Sequence, residues 1–359
     1  MKKLSEKHKK HLVRASEREM DKRIRKNTKR NRLNKSRLGY YVLCSPGVLS
    51  LMRRQSRSRL IAFTRSIHKL VNKGKRRIWL DFSDLNEVVA DGMIYLHAEL
   101  SRLSRVVKGL QFRSSPPSNK TVGQVFNQIG FSKVINCKIG VSPECNRKDV
   151  STWLCAYGEK VVGEKCGGIL DYYQGRMADS LTRELFRGMT EAMTNSYHHA
   201  YIKERGDSLR HIDYYKPWWL FSQEVDGKLS VVLCDLGLGI PGTIPINNPG
   251  LMRKLKRFFG KDLTDSVTIK EAIVNSKTRT HKAYRGKGLR QIVETINNSE
   301  DGKISILSNK GCYTHTESGE TNLTDYPASI GGTIICWQVS LPVESVDVNA
   351  FSDDEAVLY

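Results

Sequence analysis

The sequence predicts an α/β protein in two units, with a basic arm in front and an acidic tail behind. Three observations carry that expectation. Short apolar runs bounded by Gly, Pro or Asp alternate with helical patterns through most of the chain. Two glycine-rich turns, Asp235-Leu236-Gly237-Leu238-Gly239 and Gly286-Lys287-Gly288-Leu289, fall at element boundaries. Charge is uneven: of the net +22, residues 1–38 hold a surplus of twelve, from 16 Lys/Arg against 4 Asp/Glu.

The arm, residues 1–38, is rich in Lys, Arg, Asn and Ser and nearly free of aromatics. Glu17, Glu19 and Asp21 beside Lys22, Arg23 and Arg25 can support a charged helix through i,i+4 pairs, but nothing there can bury a core. Two readings stand: contact with nucleic acid or another polyanion, or a solvated tail. The acidic stretch Glu344 to Glu355, in the tail of residues 343–359, is a candidate intramolecular partner for it. In the first unit, residues 39–140, Arg77 to Phe82 reads as a strand. Ala90-Asp91-Gly92-Met93 opens a helix with Met93, Leu96, Leu100 and Leu103 on one side. Asp91 is expected to cap that helix. Gly109 to Phe112 is a second strand, Pro116-Pro117 a loop, and Val122 to Ile129 a helix closed by Gly130.

Residues 141–164 read as a polar connector with one strand, Ser151 to Ala156. The second unit spans residues 165–342. Tyr214 to Val225 and Lys228 to Cys234 form a hairpin around Asp226-Gly227, a pair suited to a tight turn. Trp218, Trp219 and Phe221 on it are expected in a core or interface. A basic turn, Ser276 to Lys282, leads to the second glycine run and a helical pattern at Ile292, Val293 and Ile296. Gly331-Gly332-Thr333 then opens a closing strand to Leu341-Pro342.

Chemistry concentrates on the helix Thr190 to Ala200. At 3.6 residues per turn Glu191, Asn195 and His198 fall on one face, which Glu184 and Gly188 extend; Leu181, Leu185, Met189, Ala192 and Ser196 form a separate, mostly apolar stripe. Asp235, at the end of a buried strand and followed by Gly237 and Gly239, can accept a hydrogen bond from an exocyclic amine. The turn Gly286 to Leu289 suits a phosphate, with Lys277, Arg279, Lys282, Arg285 and Lys287 as candidate cationic contacts.

In this order the motifs resemble the GHKL superfamily of ATPases, over roughly residues 165 to 342. Glu191-x3-Asn195-x2-His198-His199-Ala200 is similar to the N box, Asp235-x-Gly237-x-Gly239-Ile240-Pro241 to the first glycine box, Gly286-Lys287-Gly288-Leu289 to the second, and Gly332-Thr333 to the closing strand. The resemblance implies a GHKL-type α/β sandwich that takes ATP and Mg²⁺. Asn195 would hold the metal, Asp235 would read adenine, the second box would wrap the phosphates beneath a lid, and Glu191 would be the catalytic base. Arg290 stands where histidine kinases usually have another glycine. The first unit resembles a STAS domain over about 70 residues from Arg77, with Ala90 at the phosphoacceptor position and hence no hydroxyl there.

Three functions follow, in this order: an ATP-hydrolysing signalling or defence switch, an anti-sigma-type protein serine/threonine kinase acting on a partner protein, and a nucleotide-responsive scaffold without turnover. The resemblance also allows a homodimer. Eight cysteines occur without a C-x-x-C pair, and Cys137, Cys145, Cys155 and Cys166 are spaced too loosely for a recognisable zinc motif. They read as reduced thiols. With no apolar run long enough to span a bilayer and no signal-peptide core after the basic start, the expectation is a cytoplasmic protein.

Overall fold

The structure, a computed structural model, describes residues 34–37, 39–140, 148–275, 288–297 and 299–341. Residues 1–33 of the basic arm and the acidic tail, residues 343–359, lie outside them; the end of the arm, Asn34–Arg37, forms an edge strand of the first unit. The chain is mixed α/β and is built on two larger sheets, of four and seven strands, with a two-stranded parallel pair beside the first.

The first unit starts with strands β1 (Asn34–Arg37), β2 (Tyr40–Cys44) and β3 (Val48–Leu49), helix α1 (Arg54–Asn72), and strands β4 (Arg77–Asp81) and β5 (Glu87–Val88). Helix α2 (Ala90–Val106), strand β6 (Gln111–Ser115), helix α3 (Lys120–Gln128) and the turn α4 (Phe131–Val134) complete it. Its main sheet has the order β1-β2-β4-β6, with β2, β4 and β6 parallel and β1 antiparallel at the edge. Asn119 starts α3 by accepting from the Thr121 and Val122 amides.

Helix α2 is buried on nearly every side. Met93, Leu96, Leu100 and Leu103 are joined in the interior by Ile94, Tyr95, Ala98, Glu99 and Arg102. A helix is covered all round only when both flanks have something to pack on. Here one flank meets the first unit and the other lies on the sheet of the second. Asp91 does not cap α2: its carboxylate, in the first turn, accepts from the Leu51 and Met52 amides and from Ser50 Oγ. It fixes the neighbouring loop instead.

The connector differs from its sequence reading. Lys148–Ser151 is a short helix (α5), and the strand, β7, is Cys155–Gly158. Because β7 pairs antiparallel with the next strand, Ala156 opposite Leu220, the connector belongs to the second sheet. The second unit continues through helices α6 (Glu164–Leu170) and α7 (Asp179–Asn195), a π turn (Ser196–Ala200), and strands β8 (Trp218–Val225) and β9 (Lys228–Asp235). Helices α8 (Ile240–Asn247), α9 (Pro249–Phe259), α10 (Asp265–Val274) and α11 (Gly288–Glu294) precede strands β10 (Lys303–Ser308), β11 (Gly311–Thr316), β12 (Thr321–Asp325) and β13 (Thr333–Ser340). Positive φ at Asp226 and Gly227 makes the β8–β9 turn tight, as that dipeptide predicts.

The resulting sheet, β12-β11-β10-β13-β9-β8-β7, is antiparallel throughout and buried on both faces. Strand alternation divides its side chains. Trp218, Leu220, Leu229, Val231 and Leu233 share a core with Leu185 and Met189 of α7, Ile269 of α10 and Ile292 of α11. Trp219, Phe221, Val232 and Cys234 point the other way, into one core with Met93, Leu96 and Leu100 of α2. Among the described residues no helix is long and apolar enough to cross a membrane.

Candidate functional site

Helix α7 is positioned by its apolar stripe: Leu181, Leu185, Met189, Ala192 and Ser196 are all buried, as predicted. Gly188 serves this packing and not a polar face, since a side chain there would strike Thr295 Oγ1, 2.4 Å away. Beyond Asn195 the chain turns with π geometry, which adds a residue to the turn. The α-helical spacing that aligned His198 with Asn195 therefore ends at Ser196, and His198 is exposed. Ser196 Oγ is buried and without a hydrogen-bond partner.

Two glycine segments converge on this helix. At the start of α11, a Cβ on Gly288 would lie 2.9 Å from Glu191 Oε2 and 3.3 Å from Asn195 Nδ2. Only a residue without a side chain brings backbone so close to both. Asn195 Nδ2 is buried and donates to no one. Leu289, next in line, packs on the helix-side core. Arg290 turns away, its Nε donating to Glu294 Oε1 at 2.7 Å on the exposed side of α11. Lys277, Arg285, Gly286 and Lys287 lie outside the described residues.

The other segment follows β9. A Cβ on Gly237 would lie 2.2 Å from the Ala200 carbonyl, and the Leu238 amide donates to that carbonyl at 2.8 Å. Gly239 has φ +73, and a side chain there would meet the Asn309 amide at 2.8 Å. The room these glycines make is thus filled by the protein itself, which ties the loop to the end of the π turn. Tyr201 fixes the same loop, accepting from the Leu236 amide at 2.9 Å and donating to the Pro217 carbonyl.

Asp235 ends β9 opposite Thr333 of β13, and alternation places both on the helix side of the sheet. Its carboxylate accepts from the Gly237 and Thr333 amides, but burial outweighs them and raises its pKa to about 6. Thr333 Oγ1 is 3.0 Å from Ser308 Oγ, which in turn accepts from the Ile240 amide. Glu191, Asn195 and Gly288 therefore form one cluster; Asp235, Gly237, Gly239 and Thr333 form another, and Ala200 joins the second to the π turn.

The seam with the first unit holds residues that motif reading missed. Glu99 of α2 is 1 % exposed and pairs with Arg205, in the loop after the π turn, and with His68 at 2.9 Å. Burial pushes the Glu99 carboxyl up, but Arg205 and His68 together hold it well below the usual carboxylate range. Arg205 also donates to the Ile330 carbonyl and lies against Gly331, two residues before Thr333. Beside it, Arg102 binds Asp207 at 2.5 Å. A second feature of this seam is a cavity of about 330 Å³ between the start of α2 and the outer sheet face, lined by Asp91, Ser230, Ser305, Thr314, Tyr326 and Gln338 among others. Signals for these were present but weak: a buried Glu and Arg on helix and loop have no motif.

Among the described residues no group of three or more His, Cys, Asp or Glu side chains is arranged to hold a metal. Compared with known proteins, the chain matches no family model and no curated protein sequence.

Proposed function

We propose that the chain binds ATP with Mg²⁺ and hydrolyses it, as a GHKL-type sandwich whose STAS-like first unit is docked on the back of its sheet. The observation that carries this reading is the meeting of Gly288 with Glu191 and Asn195 beside a buried amide nitrogen that has no acceptor. A buried donor left unmet costs about 1–3 kcal/mol, and a phosphate oxygen is the kind of acceptor that removes the cost. Asn195 would hold Mg²⁺ through its amide oxygen, a hard ligand suited to that ion. The ion, once bound, would offset charge on the phosphates. Asp235 would accept the exocyclic amine of adenine at the end of β9. Glu191, one turn before Asn195, would orient or deprotonate the attacking water.

The anti-sigma-type kinase ranks below this. Ala90 has no hydroxyl, and its amide donates to Gln223 Oε1 of β8 at 3.0 Å, on the sheet face away from α7. A phosphoacceptor would have to come from a second protein. The scaffold reading ranks last; its motive is Arg290 where a glycine is usual, and the Arg290 side chain pairs with Glu294 on the exposed side of α11. Incubation with γ-labelled ATP and Mg²⁺ separates the three. Free labelled phosphate supports hydrolysis, label transferred to an added candidate partner protein supports a kinase, and intact ATP retained in that partner's presence supports a scaffold. Absence of ATP binding overturns all of them.

A further inference from the structure

The excursion between Gly239 and α10 carries a feature that the nucleotide reading does not use. Helix α9, Pro249–Phe259, buries Leu251 and Leu255 and exposes Arg253, Lys254, Lys256 and Arg257. At 100° per residue these four occupy one continuous outward side, opposite the two leucines. None forms an ion pair with a described residue, and the helix has no acidic residue; Asp262 follows it. Lys256 and Arg257 suit the negative end of the helix dipole, but Arg253 and Lys254 lie outside the last turn and gain nothing from it. Four cations within five residues give about one charge per 1.9 Å of helix axis. Duplex DNA carries one negative charge per roughly 1.7 Å counted over both strands, or about 3.4 Å per strand, so the four cations supply at least one charge per phosphate met.

We infer that the cationic side of α9 is a binding surface for the phosphate backbone of nucleic acid. An anionic bilayer fits less well, because a helix lying in a membrane turns its apolar side to the lipid. Here Leu251 and Leu255 are used up against the protein; Phe258 and Phe259 are exposed, but only at the C-terminal end, and the side facing out along the helix is charged. Contacts of this kind are to phosphate, so they add affinity without sequence preference. This surface is separate from Glu191, Asn195 and Asp235, and the inference stands whether or not ATP is hydrolysed.

The test uses the full chain and a labelled duplex of mixed sequence, with affinity followed by anisotropy between about 50 and 200 mM salt. A variant combining Arg253→Gln, Lys254→Gln, Lys256→Gln and Arg257→Gln replaces exposed side chains only, and an unchanged melting curve confirms its fold. The plot of log affinity against log salt should become shallower by roughly 3 to 4, about one per lost phosphate contact. The shallower slope means tenfold or more lost at low salt. Binding by the parent with the same slope in the variant overturns the inference, since the basic arm then does all the work. Failure of the parent to bind duplex even at low salt also overturns it, as does an effect of the substitutions seen only on phosphatidylserine vesicles.

Discussion

The two faces of the seven-stranded sheet bury polar groups in opposite ways. On the outer face, against α2, the buried carboxylates of the seam have their partners, although buried Arg57, stacked over Tyr326, leaves its Nε unmet. Glu99 has Arg205 and His68, Asp207 has Arg102, and Asp91 has two amides and a hydroxyl. Even the cavity there is walled by groups that satisfy one another, Ser305 with Thr314 and Gln338 with Ser230. On the helix face, Asn195 Nδ2 and Ser196 Oγ are buried without partners, and Asp235 is buried far enough to raise its pKa. Native interiors satisfy most of their polar groups, so an unsatisfied pair beside a glycine contact marks a place made for something else. One face is closed mainly by its own pairing; in the proposed reading the other would be completed by a ligand.

The largest expected effect tests the open face. Glu191→Ala should lower ATP turnover by about 10²- to 10⁴-fold, the usual contribution of a placed general base, and leave nucleotide affinity nearly unchanged. Phosphate release and equilibrium binding, measured together, decide it; equal turnover in variant and parent would remove Glu191 from the chemistry. Next comes the closed face. Glu99→Ala leaves buried Arg205 with only Asp207, 3.7 Å away, as counter-charge, which costs up to about 3–5 kcal/mol in denaturant unfolding. A loss under about 1 kcal/mol would mean that water replaces the carboxylate and the seam is not sealed.

The pH dependence contrasts the two faces in a single experiment. Asp235 is a carboxyl whose folded pKa, about 6, lies above its unfolded value near 3.9. Between those values the folded state binds the extra proton, so stability should fall as pH rises from about 4 to 6, by up to about 3 kcal/mol from this group. Glu99, held low, contributes in the opposite sense: its stability is present above the unfolded carboxylate pKa and is lost on acidification. In Asp235→Asn the loss of stability between pH 4 and 6 should disappear; if it persists, another group is titrating. The smallest effect is on binding. Asp235→Asn should weaken ATP by about 2 kcal/mol, over tenfold, because one acceptor oxygen becomes a donor facing a donor. Unchanged affinity in the folded variant would place adenine elsewhere.

Much of the helix face was legible in the sequence, because its signals are periodic and local. The apolar stripe of α7, the Asp226-Gly227 turn and the alternation that sends Asp235 and Thr333 to one side of the sheet all follow from spacing. The glycines were visible, but not what would fill them: Gly237 meets Ala200 and Gly239 meets Asn309, both far away in sequence. A π turn leaves no mark in a pattern built on 3.6 residues, so spacing from Asn195 does not foretell where His198 lies. The outer face was harder to foresee. In the sequence only one side of helix α2 stands out, Met93, Leu96, Leu100 and Leu103. Its second side, Ile94, Tyr95 and Ala98, interleaves with polar residues and has meaning only once a second sheet lies against it. β7 is four residues long and pairs across some sixty others, which no local signal records.

The register at the centre of the large sheet also sets a timetable. Strand β9 pairs on one side with β8 across a two-residue turn, but on the other with β13, about a hundred residues later. At the usual 5–20 residues per second of synthesis, roughly 5 to 20 seconds separate the appearance of Asp235 from that of Thr333, whose amide it accepts. Throughout that interval the apolar edge of β9 is bare on the ribosome, and the outer face to which α2 docks is incomplete. A nascent chain therefore passes through a stage in which β9 is made and, as the central strand, has no neighbour on one side. Chaperone dependence during translation should peak there and end abruptly once β13 has left the exit tunnel.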